Sequence, residues 1–170
     1  MKVDVLSPEE FITAIPRLGE ILADAVADGA GVSFMELISA EEGAAFWRGQ
    51  AEGVAQGMNI IIAARDGGEI AGCVILAKAW QPNQPHRADV AKLLVHRSHR
   101  RRRAATLLMQ ALVAKARRMG LTLITFDTVA GSPAEAFYRG LGFTCAGYYP
   151  GYAYSLGHKL DDTALFYMKL

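Results

Sequence analysis

The chain has 170 residues, of which 18 are lysine or arginine and 17 are aspartate or glutamate, so its formal net charge is +1. This length predicts a single domain, residues 1–170, with a core large enough to fold without disulfides or metal. The balanced charge argues against a nucleic-acid partner, because nucleic-acid binders commonly carry a wide basic surface. No apolar run reaches 18 residues, and the acidic N-terminal stretch does not resemble a secretory signal. We therefore expect a cytoplasmic protein with no membrane partner.

The N-terminal third predicts a short strand followed by two helices. Val3–Leu6 is typical of a strand, and the SPEE motif after it is a capping box with proline at the first helical position. This motif predicts a helix that continues to about Asp28. After the loop Gly29–Phe34, a second capping box that begins at Ser39 predicts a helix to about Gln56.

Three β-rich runs follow, and they predict an antiparallel meander. They are Asn59–Arg65, Glu69–Lys78 and Arg87–Val95, with a hairpin signal, DGG, between the first two. Apolar residues at helical spacing from Ala104 to about Gly120 predict a helix. The strand-like run Leu121–Asp127 then completes a β-α-β unit, whose two strands should be parallel.

The C-terminal part predicts one more helix and two strands. The capping motif SPAE at Ser132 predicts a short helix through Tyr138, and strands are expected at about Phe143–Tyr148 and Ala164–Lys169. The complete order predicts an α/β (α+β) domain. Its sheet should be mixed and mostly antiparallel, with one central parallel pair and flanking helices.

Five arginines lie within seven residues, Arg97 to Arg103, between a predicted strand and a predicted helix. The unpaired N–H groups and the dipole of a first helical turn attract anions, phosphate in particular. Guanidinium groups add charge-assisted hydrogen bonds. The turn therefore predicts an anion site, and the alternative is a solvated basic start of a helix.

Arg100–Ala105 resembles the acetyl-CoA-binding motif of the GNAT (GCN5-related) N-acetyltransferases, Arg/Gln-x-x-Gly-x-Gly/Ala. Arg103 stands where the first motif glycine belongs, and Arg101 replaces another frequent glycine. Arginine suits position 103 if the backbone there is already helical, because glycine is then not required. The stretch FYRGLGF, Phe137–Phe143, is similar to a second GNAT signature. Within the family, the chain is similar to the tabtoxin resistance acetyltransferases over the stretches GAGVSFM, HRADVAKLLV, FDTVAGSPAEAFY and PGYAYSLGHKLDDTALFYMKL.

The resemblance implies the GNAT acyl-CoA N-acyltransferase fold, in which the central parallel strands splay apart. It also implies acetyl-CoA as acetyl donor, with the pantetheine arm between the two strands, and no metal. In the family an asparagine that helps to bind the cofactor stands at the position of Gly131, so Ser132 is expected to take its place. The residues implied to contact the cofactor are Leu94, Val95, His96, Arg100, Arg101, Arg102, Arg103, Ala104, Ala105 and Ser132.

Three residues match positions with catalytic roles in the family. Asp89 and Asp127 match acidic positions proposed to accept a proton from the amine. The alternative for either is a structural hydrogen bond or ion pair, for instance between Asp89 and Arg87 or Lys92. Tyr138 matches the general acid that protonates the leaving thiolate, and its alternative is a core aromatic role.

The acceptor is expected to be a primary amine of a small molecule, which includes an amino-acid-like toxin such as tabtoxinine-β-lactam. Direct acetyl transfer in a ternary complex is the implied mechanism. Ser33, Phe34 and Tyr152 are expected to contact the acceptor, because they lie in the two loops that should border the pocket, GAGVSF and PGYAYSLGHKL. A protein or peptide acceptor is one alternative, and a non-enzymatic phosphate- or nucleic-acid-binding module is another. The sequence is compatible with a monomer or a homodimer.

Overall fold

The computed structural model describes all 170 residues, Met1–Leu170. Its elements form a mixed α/β fold, as predicted. None of the helices combines the length and apolar composition that crossing a membrane requires. The strands are β1 (Lys2–Val5), β2 (Asn59–Asp66), β3 (Glu69–Lys78), β4 (Arg87–Val95), β5 (Leu123–Val129), β6 (Thr144–Ser155) and β7 (Lys159–Lys169). The helices are α1 (Pro8–Ala27), α2 (Ala40–Arg48), α3 (Ala51–Ala55), α4 (Ala104–Arg118) and α5 (Pro133–Gly140), with one 3-10 turn at Arg97–His99.

All seven strands belong to one sheet, in the order β1-β2-β3-β4-β5-β7-β6. Every pairing is antiparallel except that of β4 with β5. Helices α1, α2 and α3 cover one face with a core that includes Phe11 and Trp47. The opposite face carries a second core to which α4 and α5 contribute, among others, Leu108, Leu112 and Tyr138. The predicted central parallel pair and its flanking helices are therefore confirmed.

The predicted capping box at the start of α1 is present. Ser7 Oγ accepts the N–H of Glu10 at 3.2 Å, and the Glu10 carboxylate accepts the N–H of Ser7 at 2.8 Å. The second box, at Ser39, forms in the same way. The predicted helix beyond it is interrupted, however, because α2 ends at Arg48 and α3 begins two residues after Gly49. Glycine is a poor helix former, so a break at this point costs little.

The pairing between β4 and β5 covers only three residues on each strand, Arg87–Asp89 against Leu123–Thr125. Beyond these residues β5 stays paired with β7 along its whole length, while β4 stays paired with β3. A β-bulge interrupts the pairing of β3 with β4, and Lys92 adopts a positive φ of 51°. The two parallel strands therefore separate toward their C-terminal ends and leave a gap in the middle of the sheet.

The last two strands are longer than predicted and form a hairpin. The sequence indicated a loop across PGYAYSLGHKL, but β6 continues to Ser155 and β7 already begins at Lys159. A register shift between Tyr149 and Ala153 accommodates Pro150 and Gly151. Because β6 is the edge strand, a proline without an N–H donor is tolerated there.

Candidate active site

A cavity of about 540 Å³ lies where β4 and β5 separate. Both strands contribute their diverging parts to its wall. The turn after α1, the first turn of α5 and the end of the β6–β7 hairpin close the remaining sides. The lining residues are Asp28 to Val32, Val90 to Leu93, Phe126 to Val129, Ser132 to Ala134, Tyr138, Ser155, Lys159 and Asp161.

Tyr138 on α5 reaches this cavity from the α4/α5 face of the sheet. Only 8% of the residue is exposed, and its ring packs on Phe126 with 4.5 Å between centroids. No intramolecular hydrogen bond uses its hydroxyl group. Burial raises the pKa of Tyr138 to about 12, because the phenolate would lose its hydration. The ring therefore belongs to an aromatic cluster, which is the alternative role, and the neutral hydroxyl lies beside the cavity. The role of Tyr138 as the general acid stays a prediction.

Asp127 lies in the diverging part of β5 and also borders the cavity. Its Oδ2 atom accepts the hydroxyl of Thr163 at 3.0 Å, which is the one protein hydrogen bond to this carboxylate. No basic side chain lies within ion-pair distance of it. The carboxylate is exposed on the cavity wall and retains acceptor positions for a ligand.

Asp89, the other acidic candidate, is engaged with its own protein and does not line the cavity. Arg87 Nη1 donates to Asp89 Oδ1 at 2.6 Å, and the Thr125 hydroxyl donates to the same oxygen. Arg87 is fixed in turn by Gln84 Oε1 at 2.7 Å. The structural alternative for Asp89, an ion pair with Arg87, is therefore present.

Lys92 also lines the cavity, whereas the sequence suggested it only as an ion-pair partner of Asp89. It is half-buried at the β4 bulge, and its Nζ atom donates to Val32 O at 3.0 Å. The same atom lies 5.2 Å from the centre of the Phe46 ring. Burial lowers the pKa of Lys92, while the negative charge of Asp127 opposes this shift. A lysine inside the otherwise apolar stretch VAKLLV was the signal that could have identified it.

Three arginines of the basic turn bind carboxylates from other elements of the same chain. Arg97 pairs with Asp24 near the end of α1 and Arg100 with Asp28, at 2.5 Å. Arg102 pairs with Asp66 of β2, also at 2.5 Å. These ion pairs fix the turn against the N-terminal half of the domain. Arg101 and Arg103 make no ion pair, and both are exposed.

The two unpaired arginines have the backbone conformation that glycine favours. Arg101 has φ 58° and Arg103 has φ 65°, so both lie in the left-handed region. Arg103 is the N-cap residue of α4, which begins at Ala104. The condition under which arginine would suit position 103, an already helical backbone, is therefore not met. The backbone at these two positions therefore has the conformation that favours glycine, although both residues are arginines. Each arginine in the left-handed region costs about 1–2 kcal/mol.

The three strand residues predicted to face the cofactor differ in their backbone directions. The His96 N–H donates to Ala71 O of the neighbouring strand at 3.0 Å. Because hydrogen-bonding direction alternates along a strand, Leu94, in register with Cys73, also faces β3. The backbone groups of Val95 consequently point to the open side of β4, while Leu93 lies in the bulge and lines the cavity. The backbone groups of Leu94 and His96 are thus directed away from the gap. Val95 borders the gap, and so does Leu93, which was not predicted to contact the cofactor.

Ser132 borders the cavity and caps α5. Its Oγ atom accepts the N–H of Glu135 at 3.3 Å, which leaves its own hydroxyl hydrogen free. The predicted capping box is only half formed, because the Glu135 carboxylate accepts the N–H of Gly131 at 2.7 Å instead. Gly131 has φ 71°, and this left-handed turn brings its N–H to the carboxylate.

The three residues predicted to contact the acceptor lie outside the cavity. Phe34 packs edge-on against Phe46, at 6.3 Å, and Ser33 is exposed beside it. Tyr152 is also exposed and stacks on Tyr149 at 5.7 Å, because the predicted loop continues as strand β6. Residues 28–32 line the cavity in place of Ser33 and Phe34, and the hairpin contributes Ser155, Lys159 and Asp161.

No group of three or more His, Cys, Asp or Glu side chains is arranged to hold a metal ion.

A sheet with a splayed parallel pair, an arginine-rich turn at the start of the next helix and a buried tyrosine beside the gap define an acyltransferase type of domain. A model of the acetyltransferase (GNAT) family matches residues 26–143, and the chain belongs to this family and is an acetyltransferase.

Solved structures share the fold over nearly the whole chain. The ribosomal-protein-alanine N-acetyltransferase of Brucella melitensis is 16% identical, with a TM-score of 0.82 and 100% of both chains covered. The structure of yncA from Salmonella typhimurium, solved with its cofactor acetyl-CoA, is 16% identical with a TM-score of 0.81, covering 100% of this chain and 94% of that one. A third structure, provisionally named a phosphinothricin N-acetyltransferase, is 17% identical with a TM-score of 0.79, covering 99% and 98%. At these identities the similarity establishes the fold.

Proposed function

We propose that this protein transfers the acetyl group of acetyl-CoA to a primary amine of a small molecule, by direct transfer in a ternary complex. The observation that carries the proposal is that Asp127 and Tyr138, an acceptor and a donor of protons, border one cavity from opposite sides of the sheet. Membership of the acetyltransferase (GNAT) family supports the same reaction class.

The residues present fit an acetyl-CoA donor. The open side of β4 offers the backbone groups of Val95 to an amide group of the pantetheine arm, and Leu93 lines the cavity beside it. The start of α4 offers the N–H groups of its first turn, and Arg101 and Arg103 offer unpaired guanidinium groups, all of which suit phosphates. Ser132 offers a free hydroxyl hydrogen. Arg97, Arg100 and Arg102 instead hold the turn in place through their carboxylate partners.

Acetyl-CoA supplies an acetyl group activated as a thioester. An amine arrives as an ammonium ion, and Asp127 accepts one of its protons directly or through water, so that the nitrogen can form the new C–N bond. The C–S bond breaks, and Tyr138 donates its proton to the departing sulfur. The second proton of the acceptor nitrogen is released as the amide forms and restores the tyrosine. The net result is an amide, a thiol and one proton released to solvent.

The size of the cavity favours a small acceptor over a protein. Its volume is about 540 Å³, which the thioester end of the donor must share, and a turn and a hairpin border it. Within this class we propose an amino-acid-like acceptor, with tabtoxinine-β-lactam as one candidate, on the basis of the similarity to the tabtoxin resistance acetyltransferases. The similarity to the structure named for phosphinothricin acetylation is consistent with this class.

A thiol-release assay with acetyl-CoA tests the proposal. The acceptors should include amino acids, tabtoxinine-β-lactam, polyamines, aminoglycosides and short peptides, and acetyl-CoA binding should be measured separately by calorimetry. We expect saturable turnover with at least one small amine. Turnover with peptides alone would indicate a protein acetyltransferase. An absence of both turnover and acetyl-CoA binding would overturn the proposed function.

A further inference from the structure

The cavity is lined by five charged side chains, and they divide into two groups. Asp28 is paired with Arg100 at 2.5 Å, and Lys159 is paired with Asp161 at 2.6 Å. The remaining two, one positive and one negative, have no partner within ion-pair distance. These two are Lys92 and Asp127.

The ammonium group of Lys92 is incompletely satisfied by the protein. It has three N–H donors, of which one reaches Val32 O, and its charge lies over the face of the Phe46 ring. The other two donors have no acceptor in the protein, and Lys92 lines the cavity, so its ammonium group is suited to an anionic group of a ligand. A carboxylate is the simplest such group.

The backbone at Lys92 shows that this position departs from ordinary strand geometry. Its φ of 51° is the left-handed conformation, which non-glycine residues seldom adopt and which costs about 1–2 kcal/mol. The bulge also lies where β4 leaves β5, at the wall of the cavity. Residues in strained backbone conformations persist only where the surrounding structure holds them in place, and they are concentrated at ligand-binding sites.

We propose that Lys92 binds the carboxylate of the acceptor while Asp127 binds its ammonium group, so that the acceptor is a free amino acid or a similar carboxylate-bearing amine. This inference rests on the proposed function and narrows its substrate class. Lys92 acts as a specificity-determining residue: it selects for the carboxylate and takes no part in proton transfer. An amine that lacks the carboxylate leaves the Lys92 cation unpaired and binds less well.

The test compares matched acceptors that differ only in the carboxylate, such as lysine with cadaverine and ornithine with putrescine. The ratio of kcat/KM values within each pair is measured for the wild type, Lys92→Met and Lys92→Arg. In the wild type we expect the carboxylate-bearing acceptor to be preferred by about tenfold or more. Lys92→Met, which keeps an unbranched side chain against Phe46, should abolish the preference, and Lys92→Arg should restore part of it. Lys115→Met, at a half-buried and unpaired lysine outside the cavity, is the matched control and should leave the ratio unchanged.

A second measurement needs no variant. The carboxylic acid that corresponds to the best acceptor without its amino group should inhibit the wild type competitively against that acceptor, since it retains the group that Lys92 binds. Equal use of both members of each pair, or a ratio that Lys92→Met does not change, would overturn the role of Lys92 while leaving acetyl transfer intact. Failure of every amine to react would overturn the proposed function and, with it, this inference.

Discussion

Arg87 and Asp89 occupy the same face of β4 two residues apart, and their side chains form an ion pair with 2.6 Å between Nη1 and Oδ1. The Thr125 hydroxyl, from the adjacent parallel strand, donates to the same carboxylate oxygen. Asp127 has only the Thr163 hydroxyl as a partner. The two aspartates that the sequence presents as equivalent therefore differ, and Asp127 is the one free to accept a proton from a ligand.

Replacing the two aspartates in turn should separate their roles. We expect Asp127→Asn to lower kcat/KM by about 10²–10⁴-fold, the usual contribution of a general base. Asp89→Asn should retain most of the activity and mainly reduce stability, because it leaves Arg87 without its charge partner. Steady-state kinetics and thermal unfolding of both variants check this. Equal losses of activity would contradict the assignment of Asp127 as the base.

Tyr138→Phe removes the hydroxyl group and keeps the aromatic ring in its cluster. Turnover should fall by about 10²–10⁴-fold, because the departing thiolate loses its proton donor, while the dissociation constant for acetyl-CoA changes little. Tyr154→Phe, at a tyrosine that is 55% exposed on the hairpin, serves as control. Unchanged turnover in Tyr138→Phe would remove the proposed acid role.

The pKa of Tyr138, raised to about 12 by burial, also predicts how stability depends on pH. Below the ordinary tyrosine value of about 10, the residue is neutral in both folded and unfolded chains and favours neither. As the pH rises above about 10, the unfolded chain releases this proton first, so the folded state loses stability. Chemical unfolding from pH 8 to 11 should therefore show a steeper loss for the wild type than for Tyr138→Phe. Parallel curves would contradict the raised pKa.

Substitutions at Arg103 separate backbone strain from side-chain charge. Glycine removes both the strain and the charge, whereas alanine removes the charge alone. We expect Arg103→Gly to be more stable than Arg103→Ala by about 1 kcal/mol, since φ near 65° penalises any Cβ atom. Both variants should bind acetyl-CoA more weakly than the wild type, and the difference should shrink as salt concentration rises. Urea unfolding and calorimetric titration measure the two effects. Equal affinity in all three proteins would exclude a phosphate contact by this side chain.

Glu135 ties the start of α5 to the β6–β7 hairpin. The Tyr148 hydroxyl, the Arg139 guanidinium and the Gly131 N–H donate to its carboxylate, and they lower its pKa to about 2. Because the folded state binds the proton more weakly than the unfolded chain, this contribution to stability is present above the ordinary glutamate pKa. It is lost as the pH falls from there toward about 2.

The variant Glu135→Gln should accordingly unfold at a lower temperature than the wild type at pH 7, with the gap closing toward pH 2. Glu20→Gln, at an exposed glutamate of α1, provides the comparison. Thermal unfolding by circular dichroism across this pH range measures both. A constant gap at every pH would show that Glu135 acts through its shape and not through its charge.

Local rules predicted most of the fold because each element carries its own signal. The capping boxes at Ser7 and Ser39, the DGG turn between β2 and β3 and the helical spacing of α4 all depend on neighbours within a few residues. The separation of the two parallel strands was predicted from the family resemblance, which the arginine turn and FYRGLGF carry.

The features that escaped prediction depend on contacts between distant segments. Arg100 and Arg102 pair with Asp28 and Asp66, and these contacts hold the turn between them in a left-handed path that arginine alone would not select. The bulge at Lys92 likewise lies in the part of β4 that no longer pairs with β5. No spacing rule within the sequence encodes either arrangement.

The three-residue ladder between β4 and β5 is the single strand pairing that joins the first four strands of the sheet to the last three. Side chains of the second core bridge the same boundary, but so short a backbone connection makes it a natural place for local opening. A ligand seated in the gap adds contacts to both halves at once. Amide hydrogens of β5 and β7 should therefore exchange with solvent more slowly when the cavity is filled. Substrate binding should also make the two halves of the sheet unfold more cooperatively.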